Sequence, residues 1–175
     1  MNPHEPVDVG AVLRQFVAHP WDTLARRWNY KSAVLSSAVR SLLFFATNLT
    51  AGPEAALAAM FTELCLRFAT AGFYGAATQA FRRVEPPIHG TLPALVLLPA
   101  SAHSLELVVH WARETPALAA SIGVSMAFTV VSTAFNLFAM RRGVLVVGAD
   151  GASLVTDLCR MPRLVLSFLA AAAAR

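Results

Sequence analysis

The feature of this sequence that most constrains its fold is a series of four long apolar runs separated by short polar breaks. The runs cover residues 33–51, 55–81, 90–111 and 115–140. A helix needs about 20 predominantly apolar residues to cross the hydrocarbon core of a bilayer, and each run is close to or beyond that length. We therefore predict an all-α fold, an integral membrane four-helix bundle with the lipid bilayer as its solvent.

The composition agrees with a membrane solvent. Hydrophobic residues make up 57% of the 175 residues and charged residues only 14%, which is too apolar for a single soluble core. The bundle is predicted at residues 33–140, after a cytoplasmic or interfacial N-terminal segment at 1–32 and before a cytoplasmic C-terminal tail at 141–175. The net charge of +4 comes from arginines placed between the apolar runs, so we predict no nucleic-acid partner.

The arginines also predict an orientation. Pairs follow the second run, at Arg82-Arg83, and the fourth run, at Arg141-Arg142. A cytoplasmic N-terminus would leave only Arg113, among the basic residues outside the runs, on the far side of the membrane. The positive-inside rule then predicts a multi-pass protein of the cell (inner) membrane with both termini cytoplasmic.

The two terminal segments read as membrane-surface elements. Residues 9–17 have helical apolar spacing and predict an interfacial helix. A second short segment, capped by Asp22, is expected to anchor at the headgroups with Lys31 facing anionic lipid. The C-terminal tail predicts either a hairpin around Asp150-Gly151 or a helix capped by Ser153, with a last amphipathic stretch beginning at Pro162.

The candidate functional residues are ionisable side chains inside the runs. The third run carries His103, Glu106 and His110 on one helical face, and the second carries Glu63 and Arg67 four residues apart. Charges inside a membrane are costly, so these groups should face protein or water and partner one another. The two runs are antiparallel, and residue counts from their outer ends predict that Glu63 meets His103.

Three interpretations of these residues stay open. They form either an ion pair and an interhelical hydrogen-bond set, or a proton or ion relay, or a metal site. In the metal site Glu63, His103, Glu106 and His110 would bind zinc or non-haem iron, although seven residues separate the two histidines by about 10.5 Å along the helix. For the relay, the sequence traces no route to the cytoplasmic face.

Two further intramembrane polar features stand out. Arg40 lies in the first run, where its side chain is expected to extend to the headgroups. Asn136 ends a polar stripe on the fourth run, which is typical either of a polar pathway or of close helix packing. The other members of the stripe are Ser121, Ser125, Thr129, Ser132 and Thr133.

Small residues predict a close-packing face on the second run. They are Ala71, Gly72, Gly75 and Ala76. Small residues four apart let helix backbones approach closely, so this face should pack against a neighbouring helix or another subunit. A homo- or hetero-oligomer is the expectation that follows.

No motif in the sequence specifies an enzymatic reaction. Phosphate-binding loops, nucleophile elbows and redox Cys-x-x-Cys pairs are absent from the chain. The expected function is therefore that of a non-enzymatic accessory or scaffold subunit. The alternative is a membrane metalloprotein or a proton- or ion-conducting protein that uses the Glu/His cluster.

Overall fold

The protein is an all-α molecule in the computed structural model, which describes residues 7–149 and 151–173. Within those residues there is no β-strand, which confirms the predicted fold class. The helices are α1 (Val9–Ala18), α2 (Tyr30–Asn48), α3 (Pro53–Phe81), α4 (Pro87–Ala112), α5 (Leu118–Arg141) and α6 (Leu154–Ala173). A π-helical turn at Trp21–Ala25 precedes α2, and a 3-10 turn at Leu49–Ala51 follows it.

Helices α2 to α5 are each long and apolar enough to cross a membrane. Successive helices are antiparallel, and α2 closes the bundle by packing against both α3 and α5. Large apolar side chains such as Leu42, Phe61, Val96 and Val130 cover the outside, as lipid-facing surfaces require. We call the end where α2 and α4 begin the basic end, and the opposite end the far end.

The ends of the spans follow from local chemistry. Asn29 caps α2 by accepting a hydrogen bond of 3.0 Å from the backbone N–H of Ser32. Pro53 and Pro87 occupy the first turns of α3 and α4, where a missing N–H costs nothing. Helix α4 continues through its two internal prolines, Pro93 and Pro99.

The predicted start of the fourth span is wrong by two to three residues. Helix α5 begins at Leu118, after the Thr115-Pro116 pair. The Thr115 hydroxyl, at the residue where the fourth apolar run starts, bonds to the ring of His110. Asn48, at the end of α2, accepts the N–H of Ala117 at 3.0 Å, so another helix supplies the partner near this terminus.

Helix α1 packs under the basic end of the bundle. Its Val12 is buried, and Phe16 meets Phe81 of α3 edge to face with 5.6 Å between ring centroids. Val17 on the outer side is 84% exposed. The amphipathic pattern of residues 9–17 therefore covers the bundle on one face and leaves the other face open.

Lys31 does not face lipid as predicted. It is 1% exposed, and its ammonium donates to the carbonyls of Val146 and Ala152 at 2.8 and 2.7 Å. Its third partner is the carboxylate of Asp157 on α6, at 2.5 Å. All three donors of the ammonium are thus satisfied, and α2 is tied to the C-terminal tail.

The C-terminal tail forms helix α6 over residues 154–173, and the described residues before it, 142–149 and 151–153, contain no strand, so the hairpin alternative is wrong there. Ser153 caps α6 as predicted, accepting the N–H of Thr156 at 3.1 Å. Pro162 lies inside α6 and does not begin it. Asp150, half of the predicted turn, lies outside the described residues. Phe168 packs α6 against two phenylalanines of α5, Phe135 and Phe138.

The small-residue face of α3 is used within the chain. A Cβ built on Gly72 would lie 2.0 Å from Nε1 of Trp28, and one on Gly75 would lie 2.6 Å from Ser32. The predicted close approach therefore exists, and α2 with the turn before it occupies the face. Association with another subunit, which stays a prediction, must use a different surface.

Candidate functional site

The buried ionisable side chains of the spans meet in one place. We call this group the charge cluster; Glu63, Glu106 and His110 in it are fully buried, and the others are at most 9% exposed. Its members are Arg40 of α2, Glu63 and Arg67 of α3, and His103, Glu106 and His110 of α4. The sequence predicted that such groups would partner one another, and their contacts show that they do.

Glu63 lies between Arg67 and His110. One carboxylate oxygen accepts from Nε of Arg67 at 2.6 Å, and the other lies 3.2 Å from Nε2 of His110. The remaining ring nitrogen of His110 lies 3.0 Å from the hydroxyl of Thr115, next to the far end. The imidazole is also stacked on Phe44, with 4.1 Å between centroids.

The predicted contact between Glu63 and His103 is wrong. Glu63 is ten residues into α3, whereas its partner His110 is two residues from the end of α4. Helix α3 therefore extends beyond α4 at the far end. The prediction counted residues from the loops, and for this reason it misjudged the relative depth of Glu63 and His103.

Glu106 is the centre of the cluster. It accepts a hydrogen bond from the Ser125 hydroxyl at 2.6 Å and another contact from the His103 ring. Nη2 of Arg67 lies 2.8 Å from it, in the geometry of an ion pair and not of an aligned hydrogen bond. Nη1 of Arg40 is 3.7 Å away. The carboxylate thus joins α4 to each of the other three spans.

Arg40 turns into the bundle, which corrects the expectation that it extends to the headgroups. It is 4% exposed, and its guanidinium donates to the hydroxyls of Ser125 and Thr129 on α5. Arg40 lies on the face of α2 that points into the bundle, where nearby hydroxyl acceptors and Glu106 stabilise its desolvated charge. The sequence does not show how α2 is rotated about its axis, so it did not predict this orientation of Arg40.

The cluster is electrically balanced. The two guanidinium groups of Arg40 and Arg67 face the two carboxylates of Glu63 and Glu106, so the formal charges cancel when the imidazoles are neutral. Burying ions in a low-dielectric medium is tolerated when they are paired and hydrogen-bonded. The arrangement can therefore hold four charges inside a membrane.

The polar stripe of α5 has two different roles along its length. Towards the far end Ser121 bonds to Thr47 and Asn48 of α2 at 2.7 and 3.0 Å, which is helix packing. In the middle, Thr129 bonds to His103 at 2.8 Å and belongs to the cluster's surroundings. Towards the basic end the residues line a cavity; they are Ser132, Thr133 and Asn136.

This cavity has a volume of about 70 Å³ and lies between the charge cluster and the basic end. Arg40 and Arg67 line its deep part, and Ser32 and Ser36 of α2 lie among its residues nearest the basic end. One water occupies about 10–15 Å³ by this measure, so the space holds about five waters. The sequence did not predict this cavity. The signal that could have indicated it is the presence of serines and threonines on three of the helices that line it.

The four residues considered as metal ligands are drawn together as two separate pairs. Glu63 contacts His110, Glu106 contacts His103, and Arg67 lies between the two carboxylates. Among residues 7–149 and 151–173, no group of three or more His, Cys, Asp or Glu side chains could hold a metal ion. In this geometry the carboxylates are ion-paired with Arg67, and each His–Glu contact joins two groups that can share a proton.

Comparisons with known proteins give no relative from which to take a function. No family model, curated protein or solved structure matches the chain. The site itself must therefore support any proposal.

Proposed function

We propose that this protein is a multi-pass membrane protein without enzymatic activity that serves as an accessory or scaffold subunit. The observation that carries the proposal is the balanced charge cluster. Its carboxylates and guanidiniums are partnered across all four spans, with Glu106 bonded to or paired with α2, α3 and α5. Such a network, together with the polar contact of Ser121 with Asn48, fixes the rotation and register of the four helices.

We place the protein in the cell membrane with its basic end in the cytoplasm, and the distribution of exposed arginines supports this placement. Arg83 and Arg142 are exposed at this end, and Arg113 is exposed at the far end. The positive-inside rule favours that direction. Both termini are then cytoplasmic, and α6 lies at the cytoplasmic surface.

A scaffold also needs a surface for its partner, and α5 offers one. Ala119, Gly123 and Ala127 are exposed, four residues apart, and on the same side of the helix. A Cβ built on Gly123 meets nothing within 4 Å. Another helix, from a second copy or from a different protein, could approach this stripe closely.

The partner surface is tested by disulfide cross-linking in membranes. In a Cys65→Ser/Cys159→Ser background with an added oxidant, Gly123→Cys should form a disulfide with the same introduced thiol of a second copy. Leu42→Cys, exposed on α2, is the matched control and should stay monomeric. Equal cross-linking at both positions, or none at Gly123, would remove α5 as the partner surface.

A second candidate function, proton transfer across the bundle, is favoured by the cavity. Water in it would reach Arg40 and Arg67 from the basic end, and Glu106, His103 and Thr129 are in contact beside them. On the other side of Arg67, Glu63 and His110 lead to Thr115 near the far end. Arg67, which does not release its proton, interrupts this path.

Flux measurements separate the two candidates. Proteoliposomes carrying the parent, Glu63→Gln or the exposed-site control Glu54→Gln are given a pH gradient and followed with an internal pH dye. A scaffold shows the leak of empty vesicles in all three. Flux in the parent and in Glu54→Gln that disappears in Glu63→Gln would establish proton transfer and displace the scaffold proposal.

A further inference from the structure

A second cleft lies outside the charge cluster, between the end of α5 and helix α6. It has a volume of about 510 Å³ and opens to the surface. Its lining comprises Arg142, Val144, Cys159, Arg160, Arg163, Leu164 and Ser167. Three arginines and a hydroxyl therefore surround one cleft, with two apolar side chains and a thiol as the rest of the lining.

The arginines of this cleft have no acidic partner in the part of the chain that the structure describes. Arg142 is stacked on Phe138, with its Cζ 3.5 Å from the ring centroid, which fixes the guanidinium at the mouth of the cleft. Arg160 and Arg163 are exposed, one turn apart on α6. A site with three unneutralised guanidinium groups is complementary to a phosphate, which they bind through charge-assisted hydrogen bonds.

The position of the cleft favours a phosphate that belongs to a lipid. Arg142 directly follows the end of a span, so the cleft lies at the level where headgroup phosphates are found. Leu166, which is exposed one turn beyond Arg163 on α6, offers an apolar surface to acyl chains. Phe168, packed on Phe135 and Phe138, holds this helix against the span.

From these observations we propose that the cleft between α5 and α6 is a binding site for the headgroup phosphate of an anionic phospholipid. Arg142, Arg160 and Arg163 contact the phosphate, and the acyl chains lie along the apolar side of α6. A zwitterionic lipid has a cationic group that these arginines repel, so the site selects for net negative charge. The inference is independent of the charge cluster and of the function proposed for it.

Cys159 provides a direct probe, because its exposed thiol lines the cleft. The Cys65→Ser protein is placed in nanodiscs of phosphatidylcholine alone or with one third phosphatidylglycerol, and labelling by uncharged N-ethylmaleimide is timed. We expect phosphatidylglycerol to slow labelling several-fold. Arg160→Gln/Arg163→Gln should abolish the difference, whereas Arg14→Gln/Arg27→Gln, which removes two exposed arginines elsewhere, should keep it.

Affinity is measured by native mass spectrometry of the same proteins with each lipid added. Loss of two arginine contacts should weaken phosphatidylglycerol binding by roughly 30-fold, while phosphatidylcholine binding is unchanged. Equal weakening in the Arg14/Arg27 control would show non-specific attraction and overturn the proposal. In the labelling experiment, inorganic phosphate is added as a further arm. Slower labelling of Cys159 with inorganic phosphate but not with phosphatidylglycerol would assign the cleft to a soluble anion instead. Unchanged labelling with both would contradict an anion site in the cleft.

Variants at Arg160 and Arg163 could act by detaching α6. Trypsin cleavage at Arg142, which precedes the α6 segment, reports on this in each variant. If the Arg160→Gln/Arg163→Gln variant resists trypsin as well as the parent does and has lost its lipid selectivity, the result supports the binding site. Selectivity that survives in a well-folded double variant contradicts it.

Discussion

Arg67 on α3 and Glu106 on α4 form an ion pair of 2.8 Å in the interior of the bundle, where neither residue is more than 3% exposed. The same guanidinium bonds to Glu63 one turn away on its own helix. One arginine therefore contacts both carboxylates of the charge cluster. This relationship makes Arg67 the residue on which the stability of the spans depends most.

Replacing Arg67 by Leu should destabilise the bundle by about 3–5 kcal/mol, because Glu63 loses its arginine and Glu106 keeps only the more distant Arg40 as a guanidinium partner. Thermal unfolding in detergent measures the change. Arg27→Leu removes an exposed arginine and should stay within about 0.5 kcal/mol of the parent. Equal stability of Arg67→Leu and Arg27→Leu would contradict the role given to the cluster.

Glu106→Gln should also destabilise, by about 2 kcal/mol or more, because Arg67 and Arg40 lose an ionised partner in a desolvated site. Glu106→Leu, which also removes the acceptor for Ser125, should be worse. The matched control is Glu54→Gln at the exposed start of α3. A neutral result for Glu106→Leu in the same unfolding assay would show that the residue is only peripheral.

Asp157→Ala should release α6 from the bundle, because it leaves the fully buried ammonium of Lys31 without its counter-ion. Trypsin should then cleave at Arg160 and Arg163 much faster than in the parent, while the spans stay intact. Asp22→Ala breaks an ion pair whose side chains are 71% and 58% exposed, and it should change nothing. Unaltered cleavage of Asp157→Ala would mean that other contacts hold α6.

Gly72→Ala should lower stability by about 1–3 kcal/mol, because the added methyl overlaps the Trp28 ring and the turn before α2 must shift. Gly123→Ala adds the same group to the face of α5 that is open in the single chain, and in the detergent-solubilised monomer it should be neutral or slightly stabilising. Unfolding of the two variants side by side isolates the close approach from helix propensity. A larger loss of stability in Gly123→Ala than in Gly72→Ala would contradict the tight contact at Gly72.

The sequence predicted the spans and most members of the charge cluster for one physical reason. Charged groups in lipid must find partners, so Glu63, Arg67 and the His-Glu face of α4 could be grouped from their positions within the apolar runs alone. The spacing of glycines likewise predicted the close face of α3. These inferences depend on local composition and period, which a sequence displays directly.

The errors concern how helices are rotated and offset against each other. His110 and not His103 meets Glu63, because α3 extends beyond α4. Arg40 faces inward and Lys31 is buried, although both lie where a long cation can also reach the headgroups. The partner of Lys31 is 126 residues further along the chain, and no local pattern indicates such a pair.

The most direct test of the account is the placement of the loops across the membrane. Arg83→Cys, Arg113→Cys and Arg142→Cys are made singly in the Cys65→Ser/Cys159→Ser protein and labelled in intact cells with an impermeant maleimide. The account predicts that Arg113→Cys labels from outside, whereas Arg83→Cys and Arg142→Cys label only after the membrane is opened. Labelling of Arg83→Cys and Arg142→Cys from opposite sides, or a chain that stays in solution without detergent, would contradict it.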